Sequence, residues 1–185
     1  MAACERVGWA AVDGAVDLAV VEALAEAVAD LVLEPLDGEV GPVRQAGAAA
    51  VCAVAGRPAL EALADRLERA AAAAGTGWRP DEAATTAYEA GEGISPHRDN
   101  TFYEGFVVVV TLSGTAELRV VADRDGEHVL AHWHAGPGHL ALFRGPRPGV
   151  EARPLHSVGP AGPGGRRVLV LRRNARGPGR GWGDR

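Results

Sequence analysis

Two residues in the middle of the chain have the types and spacing of metal ligands. His97 and Asp99 form a His-x-Asp pair that ends the glycine-containing stretch 88–99 and precedes the apolar run 106–112. In an extended chain, side chains two positions apart point to the same side, so this imidazole and carboxylate converge on one point. With a second histidine they would form a site that suits Fe(II). Such a site leaves coordination positions open for a chelating co-substrate and dioxygen.

The best candidate for the third ligand lies downstream, and a pair of arginines follows it. His156 stands in the segment Pro154-Leu-His-Ser-Val158, and Arg166 and Arg167 come next. The guanidinium fork of arginine binds a carboxylate through two parallel hydrogen bonds. Adjacent residues of a strand point to opposite faces, so only one of the two arginines can face the metal. The inward companions would be Val168, Val170 and Arg172 for Arg166, or Leu169, Leu171 and Arg173 for Arg167.

The N-terminal third of the chain predicts helices that pack against a core. From Asp13, apolar residues recur at spacings of three and four until Pro35 ends the pattern. A second stripe begins at Pro58, a residue typical of the first helical turn, and ends before Gly75. Between them, residues 48–55 are a candidate strand. Apolar stripes of this kind indicate packing surfaces rather than catalytic sites.

After residue 80 the pattern changes to short β-like runs separated by turns. Ser113-Gly114 and Asp125-Gly126 mark two of these turns. Seven strands with no helix between them predict an antiparallel sandwich or barrel. They are 85–88, 106–112, 116–121, 129–133, 139–143, 154–158 and 166–172.

Length and composition favour one domain. The 185 residues are 47% hydrophobic, enough to bury one sizeable core over residues 1–174, with a helix-rich segment 1–77 and a β core 78–174. The tail 175–185 is rich in glycine, proline and arginine and is expected to be disordered. Only two cysteines occur, and we find neither a signal-peptide pattern nor a membrane-spanning run. We therefore expect a cytoplasmic protein with no membrane association.

Charge is distributed unevenly along the chain. The formal net charge is −5, but the segment from Arg144 onward has 10 arginines and 2 acids, whereas residues 1–143 have 9 and 22. The basic C-terminal segment therefore includes the candidate anion site. A dedicated nucleic-acid-binding protein is usually more basic overall.

The order of these motifs resembles the 2-oxoglutarate and iron(II)-dependent dioxygenases, and among them the AlkB-like branch. The likeness covers residues 78–174. It rests on Tyr88-x-x-Gly-x-x-Ile-x-x-His97-x-Asp99, Thr111-Leu-Ser-Gly114, Gly136-Pro-Gly-His-Leu140, Pro154-Leu-His-x-Val158 and Arg166-Arg-Val-Leu-Val-Leu-Arg-Arg-Asn174.

The resemblance implies a double-stranded β-helix, or cupin-like jelly roll, that is mainly β with N-terminal support helices. It implies Fe(II) held by His97, Asp99 and His156, with 2-oxoglutarate chelating the iron. Arg166 is favoured over Arg167 for the distal carboxylate of 2-oxoglutarate by its distance from His156, but the pattern does not decide between them.

Two further residues join Arg166 as candidates for binding 2-oxoglutarate. The resemblance implies that the Tyr88 hydroxyl contacts the co-substrate, and Arg172 would share the inward face with Arg166. The AlkB pattern often has asparagine two residues before the tyrosine, where this chain has Thr86. That contact is therefore not predicted.

Asp99 restricts the reaction, because related halogenases have glycine or alanine at that position. A complete triad indicates hydroxylation or another oxidation, with release of succinate and CO2. We expect a small metabolite, such as an amino acid or a natural-product intermediate, as the substrate. One alternative is an oxidative demethylase of alkylated nucleic acid. The other is a cupin-like metal-binding protein that is non-catalytic or independent of 2-oxoglutarate.

The remaining histidines and aromatic residues offer weaker candidates. His132, His134 and His139 could form a rival site of nitrogen ligands, but no carboxylate is evident in a matching position. Phe102 and Tyr103 follow the metal pair closely and are better candidates for substrate contact than Trp133. Aromatic residues in strands more often belong to the core.

Overall fold

The structure is a computed structural model that describes residues 1–36, 38–146 and 153–181. The helices in these ranges are α1 (Ala2–Val7), α2 (Leu18–Glu26) and α3 (Pro58–Ala73). The first seven strands are β1 (Trp9–Val12), β2 (Glu34–Pro35), β3 (Glu39–Val40), β4 (Val43–Arg44), β5 (Ala48–Ala53), β6 (Glu82–Tyr88) and β7 (Ile94–His97). The others are β8 (Tyr103–Gly114), β9 (Ala116–Val121), β10 (Val129–Ala135), β11 (Leu140–Arg144), β12 (Leu155–Val158) and β13 (Arg166–Asn174).

Two antiparallel sheets form the body of the molecule. The larger has the strand order β1-β11-β8-β13-β6-β5-β2 and the smaller β10-β9-β12-β7, while β3 and β4 form a separate hairpin. The inner faces of the two sheets pack on each other, and the helices cover the outer face of the larger sheet. This is a jelly roll with supporting helices, so the predicted fold class is confirmed.

Strand β8 shows why these residues fold this way. It lies inside the larger sheet, and both of its faces are buried. Phe106, Val108 and Val110 pack with residues of α2 and α3, whereas Val107 packs with Leu118 of the smaller sheet. A strand buried on both faces is apolar without alternation, as this one is. Truncating Phe106 to alanine would cost about 3–5 kcal/mol.

The helices follow the predicted pattern with one correction. Helix α3 begins at Pro58 as predicted, but α2 begins only at Leu18, after the N-cap residue Asp17, and not at Asp13. It ends at Glu26, and the chain beyond it forms tighter bonds such as Val28 N–H to the Ala25 carbonyl. Tight turns of this kind continue a spacing of three without an α-helix, which explains the overlong prediction.

The strands agree with the predictions more closely. All seven predicted strands are present, as β6 and β8 to β13, and β5 occupies most of the run predicted near residue 50. Helix α1 and strands β1 to β4 were not predicted, because they are short and have no clear periodicity. No helix in the described ranges of the chain has the length and apolar character needed to cross a membrane.

The structure describes residues 175–181 of the tail, for which composition predicts disorder. These residues form specific hydrogen bonds to the body of the protein, including one from Ala175 N–H to the Phe102 carbonyl at 2.9 Å. Composition predicted disorder because it does not reveal partners supplied by distant strands. The last residues, 182–185, lie outside the described residues.

Candidate metal centre and cavity

A cavity of about 700 Å³ lies between the inner faces of the two sheets. Alternate residues of β13 form a section of its wall on the larger sheet, and β7 and β12 contribute on the smaller sheet. The hairpin β3–β4 and the segments on either side of Asn100 lie at its edge. The lining includes Tyr88, His97, Asp99, Tyr103, Val107, Val109, Phe143, His156, Arg166, Val168, Val170 and Arg172.

The three predicted metal ligands meet in this cavity. His97 ends β7, Asp99 lies just beyond it, and His156 lies on β12, directly opposite His97 in the antiparallel pairing of the two strands. One ligand atom from each residue lies within 4.8 Å of the others. The distance from His156 Nε2 to Asp99 Oδ2 is 3.8 Å. Among the described residues, this is the one group of three or more such side chains with a spacing that suits a metal ion.

Backbone carbonyls orient both imidazoles. His97 Nδ1 lies 3.0 Å from the Ser95 carbonyl oxygen, and His156 Nδ1 lies 3.3 Å from that of Pro154. A carbonyl only accepts hydrogen bonds, so each Nδ1 carries the proton and each Nε2 keeps its lone pair. The Phe143 ring stacks on His156 with a centroid separation of 4.0 Å, which further fixes the plane of that ring. This is the arrangement of an imidazole prepared to bind metal through Nε2.

The electrostatic environment keeps His97 neutral. Burial, and next the neighbouring His156, lower its pKa to about 4, and Asp99 opposes them only partially. Only a neutral imidazole has a free lone pair for a metal ion. His97 can therefore act as a ligand at neutral pH.

Arg166 is buried in the same cavity without a carboxylate partner among the described residues. Its side chain is 4% exposed, and its Nη2 donates a hydrogen bond to Thr111 Oγ1 at 2.9 Å. Its Nε is buried and forms no hydrogen bond. Burial lowers the pKa of Arg166, but a guanidinium remains charged in proteins. A buried charge of this kind is costly unless an anion neutralises it.

The structure distinguishes the two adjacent arginines that the sequence pattern left open. Arg167 points to the helix side of the sheet, where it donates hydrogen bonds to Thr85 Oγ1 at 3.2 Å and to the Val28 carbonyl at 3.4 Å. Arg166 and the residues alternating with it line the cavity. The inward set is therefore the one that contains Arg166 and Arg172.

Arg172 lines the cavity but forms an ion pair with a buried carboxylate. Its Nε lies 2.5 Å from Oε1 of Glu82, which is completely buried. Asn174 Nδ2 donates to the other Glu82 oxygen at 2.7 Å. We call Glu82, Arg172 and Asn174 the anchor cluster. The Arg172 guanidinium also lies 3.9 Å from the centroid of the Tyr103 ring.

Tyr88 lies beside Arg166, because the two residues are direct partners in the pairing of β6 with β13. Burial raises the pKa of the Tyr88 hydroxyl, and the charge of Arg166 acts in the opposite direction. The hydroxyl is therefore a hydrogen-bond donor at neutral pH. Thr86, which replaces the asparagine of the AlkB pattern, also lines the cavity.

Sequence reasoning assigned no role to three residues that support the site. Thr111 holds Arg166, Phe143 stacks on His156, and Arg153 donates a hydrogen bond to the Asp99 backbone carbonyl. Thr111 belongs to a matched motif, so its position carried a signal. The other two depend on contacts between distant strands, which the sequence pattern does not show.

The rival histidine site does not form. His139 is buried against Asp13, with 2.6 Å between Nδ1 and Oδ1, while His132 is exposed on β10. Glu117 Oε1 lies 3.3 Å from His132 Nδ1, but this pair does not converge with the other histidines on a metal position in the described part of the chain. His132 and His134 line a separate depression on the smaller sheet together with Trp133. Trp133 is absent from the lining of the central cavity, whereas Phe102 and Tyr103 both belong to it.

Comparison with known proteins supports the fold. No protein-family model and no curated protein sequence matches the chain. Many solved structures match, and three of them cover at least 90% of this chain. A prolyl-4-hydroxylase from Pseudomonas putida has a TM-score of 0.66 and 15% identity, over 94% of this chain and 96% of that one.

The other two structures give the same picture. OsALKBH1 has a TM-score of 0.63 and 14% identity, over 90% of this chain and 98% of the other. An oxidoreductase of the 2OG-Fe(II) oxygenase family from Burkholderia pseudomallei has a TM-score of 0.62 and 18% identity, over 96% of this chain and 90% of that one. The chain therefore has the fold of the 2OG-Fe(II) oxygenases, and the predicted resemblance is confirmed at the level of the fold.

Proposed function

We propose that this protein is a 2-oxoglutarate- and Fe(II)-dependent dioxygenase that oxidises a small metabolite and releases succinate and CO2. One observation carries the proposal. Three potential metal ligands and a buried arginine without a carboxylate partner face the same cavity of a 2OG-Fe(II) oxygenase fold.

The donor set fits Fe(II). Two imidazole nitrogens and one carboxylate oxygen are the donor set of the facial triad in non-haem iron sites. Both imidazoles have their Nδ1 fixed by backbone carbonyls, so His97 and His156 would bind the ion through Nε2, and Asp99 through a carboxylate oxygen. Iron bound here would supply the reactivity toward dioxygen, while the protein supplies position and exclusion of water.

The charge of the cavity fits a dicarboxylate co-substrate. Arg166 would pair with the distal carboxylate, held in place by Thr111, and the buried Nε provides an additional donor. The Tyr88 hydroxyl beside it would donate a further hydrogen bond. In this arrangement Arg172 has a positioning role, because its guanidinium already pairs with Glu82.

Apolar residues complete the cavity and support its role in limiting water access. Val107 and Val109 of the larger sheet face Leu118 and Val158 of the smaller one around the polar groups. Water is a competing ligand and raises the local dielectric constant. Excluding it strengthens the interaction of Arg166 with an anion and keeps the reacting groups in one geometry.

A small metabolite fits better than a nucleic acid. The cavity volume is in the range of small-molecule sites. The 22 acids of residues 1–143 oppose binding to a phosphate backbone. A demethylase of alkylated nucleic acid remains the second candidate, since OsALKBH1 is among the structural matches. A cupin-like protein that does not turn over 2-oxoglutarate is the third.

The decisive experiment measures succinate formation by purified protein supplied with Fe(II), 2-oxoglutarate and dioxygen. Slow uncoupled turnover that requires all three supports the proposal even before the substrate is known. A candidate substrate is then sought by mass spectrometry as a product that has gained one oxygen atom. Absence of succinate under all conditions, with metal bound, would favour the cupin-like alternative. Salt-dependent binding of single-stranded DNA or RNA would favour the demethylase.

A further inference from the structure

The C-terminal arm, residues 175–181, is fixed to the body of the protein by the anchor cluster. The Gly179 N–H donates a hydrogen bond to Glu82 Oε2 at 2.7 Å. Asn174 holds the arm at two points, since its Nδ2 donates to the Arg180 carbonyl at 2.9 Å and its Oδ1 accepts from the Arg176 N–H at 3.0 Å. A buried carboxylate and a buried amide thus form direct bonds to a segment that is otherwise exposed. This gives the arm one defined position.

That position is beside the cavity, against Phe102. Ala175 N–H donates to the Phe102 carbonyl at 2.9 Å, and the Arg176 guanidinium lies 4.4 Å from the centroid of the Phe102 ring. Arg176, Gly181 and Phe102 all belong to the lining of the cavity. Stacking on an aromatic face restricts the motion of a guanidinium and leaves its edge free to donate hydrogen bonds. The arm therefore contributes to the wall beside the proposed metal centre.

In the lining of the cavity, the arginines outnumber the carboxylates that could pair with them. In the proposed function Asp99 binds the metal, Arg166 pairs with 2-oxoglutarate and Arg172 pairs with Glu82. The charged residues that remain in the lining are Glu34, Arg98 and Arg176. Among the described residues neither arginine forms an ion pair with a carboxylate, and Arg98 donates its Nε hydrogen bond to the Arg153 carbonyl. The part of the lining that metal and co-substrate do not use, which we call the open region, is thus net positive, and apolar side chains such as Leu36 and Val43 line the same cavity.

We propose that the arm is a wall of the substrate site and that Arg176, held on Phe102, binds a carboxylate of a small substrate with an apolar body. This inference rests on the proposed function, because that function makes the open region of the cavity the substrate site. A carboxylate fits better than the phosphate backbone of a nucleic acid, since Glu34 lines the same region and would repel a polyanion. A small acid carries only one charge, so its attraction to Arg176 is opposed less by Glu34 than that of a polyanion.

The test compares a small acid with its neutral amide. Phenylacetate and phenylacetamide have similar shapes and differ in charge. Their binding is measured by calorimetry without dioxygen, in the presence of Fe(II) and 2-oxoglutarate. We expect phenylacetate to bind the wild-type protein about tenfold more tightly than the amide, and Arg176→Gln to remove this difference. Arg176→Lys should partially restore it.

Arg173→Gln is the matched control. Arg173 lies near the end of β13, before the arm, and its half-exposed side chain lies 3.9 Å from Glu104. This substitution removes the same charge from the protein and should keep the preference for phenylacetate. Equal loss in both variants would mean that net charge alone attracts the acid, and would overturn the proposal.

Other outcomes are equally decisive. Equal affinity for the acid and the amide in the wild-type protein, or no binding of phenylacetate at millimolar concentration, would overturn the assignment of Arg176. Stronger binding of a short single-stranded DNA, lost in Arg176→Gln, would show that the arm binds phosphate instead.

Failure of the proposed function is recognised separately. The visible charge-transfer absorbance of an Fe(II)–2-oxo acid chelate reports on the metal centre in the wild-type protein without any substrate. Its absence would count against the dioxygenase, whereas the phenylacetate comparison reports on the arm.

Discussion

Two groups of polar residues each contribute a buried arginine to the cavity, and they differ in whether that arginine has a carboxylate partner. The anchor cluster pairs Arg172 with Glu82 and Asn174, all buried. The ligand cluster, His97, Asp99, His156 and Arg166, has metal-binding atoms close together and a cation without a carboxylate. Arg166 and Arg172 are on the same face of β13. We infer that Arg172 serves the fold through its partner Glu82, whereas Arg166 is available to an anionic ligand.

Removing the carboxylate of the ligand cluster should have the largest effect on activity. We expect Asp99→Ala to abolish succinate formation, because two imidazoles alone hold Fe(II) poorly in this geometry. The free energy of unfolding of the metal-free protein should change by less than about 1 kcal/mol, since no ion pair with a guanidinium is lost.

Turnover and chemical unfolding are measured on the same preparation. Asp125→Asn, in an exposed turn, is the control and should behave as wild type. Retained turnover in Asp99→Ala would exclude this aspartate as a ligand. Global unfolding of the variant would show that the ligand cluster stabilises the fold after all.

Removing the Glu82 carboxylate from the anchor cluster should lower the stability of the fold, which removing the Asp99 carboxylate should leave nearly unchanged. Glu82→Ala leaves Arg172 buried without its counter-ion, which should lower the free energy of unfolding by about 3–5 kcal/mol. Denaturant titration measures this. Glu104→Ala, which removes a partly exposed pair with Arg173 at 3.9 Å, should cost at most about 1 kcal/mol. Similar costs for the two variants would contradict the distinction between the clusters.

The two arginines can be compared directly by replacing each with methionine. Arg166→Met should weaken binding of 2-oxoglutarate by at least about 30-fold, because it removes one half of a buried charge pair. The same change should not destabilise the protein without ligand, since it removes an unpaired buried charge. Arg172→Met should destabilise the protein strongly.

Titration of 2-oxoglutarate and chemical unfolding together separate these effects. Arg167→Met is the control for charge and position, since Arg167 faces the helices. An unchanged affinity for 2-oxoglutarate in Arg166→Met would remove Arg166 from the co-substrate site.

The smallest expected effect concerns the tyrosine beside Arg166. Tyr88→Phe removes one hydrogen-bond donor and should weaken 2-oxoglutarate binding about two- to tenfold, which corresponds to one ordinary hydrogen bond. Titration as for Arg166 measures it. A loss as large as that of Arg166→Met would mean that the hydroxyl has a larger role than a supporting contact.

The sequence predicted the features of the molecule that depend on local spacing. The period of two in β7 and β13, and the order of the motifs, identified the candidate ligands and the strand that carries the arginines. The apolar run 106–112 predicted a strand, which is β8 inside the larger sheet. The sequence did not predict the anchor cluster or the hydrogen bonds that hold residues 175–181, because Glu82 and Gly179 are close only in the folded chain.

What the sequence alone determined is that Arg166 and Arg167 lie on opposite faces, since alternation is a local property of any strand. Which face points into the cavity was decided by the tertiary structure. The pairing of β13 with β6 and β8 sets the phase of the whole strand, so that Val168 and Val170 point inward with Arg166 while Leu169 and Leu171 pack against the helices. A local pattern defines two alternatives, and only the neighbouring strands select between them.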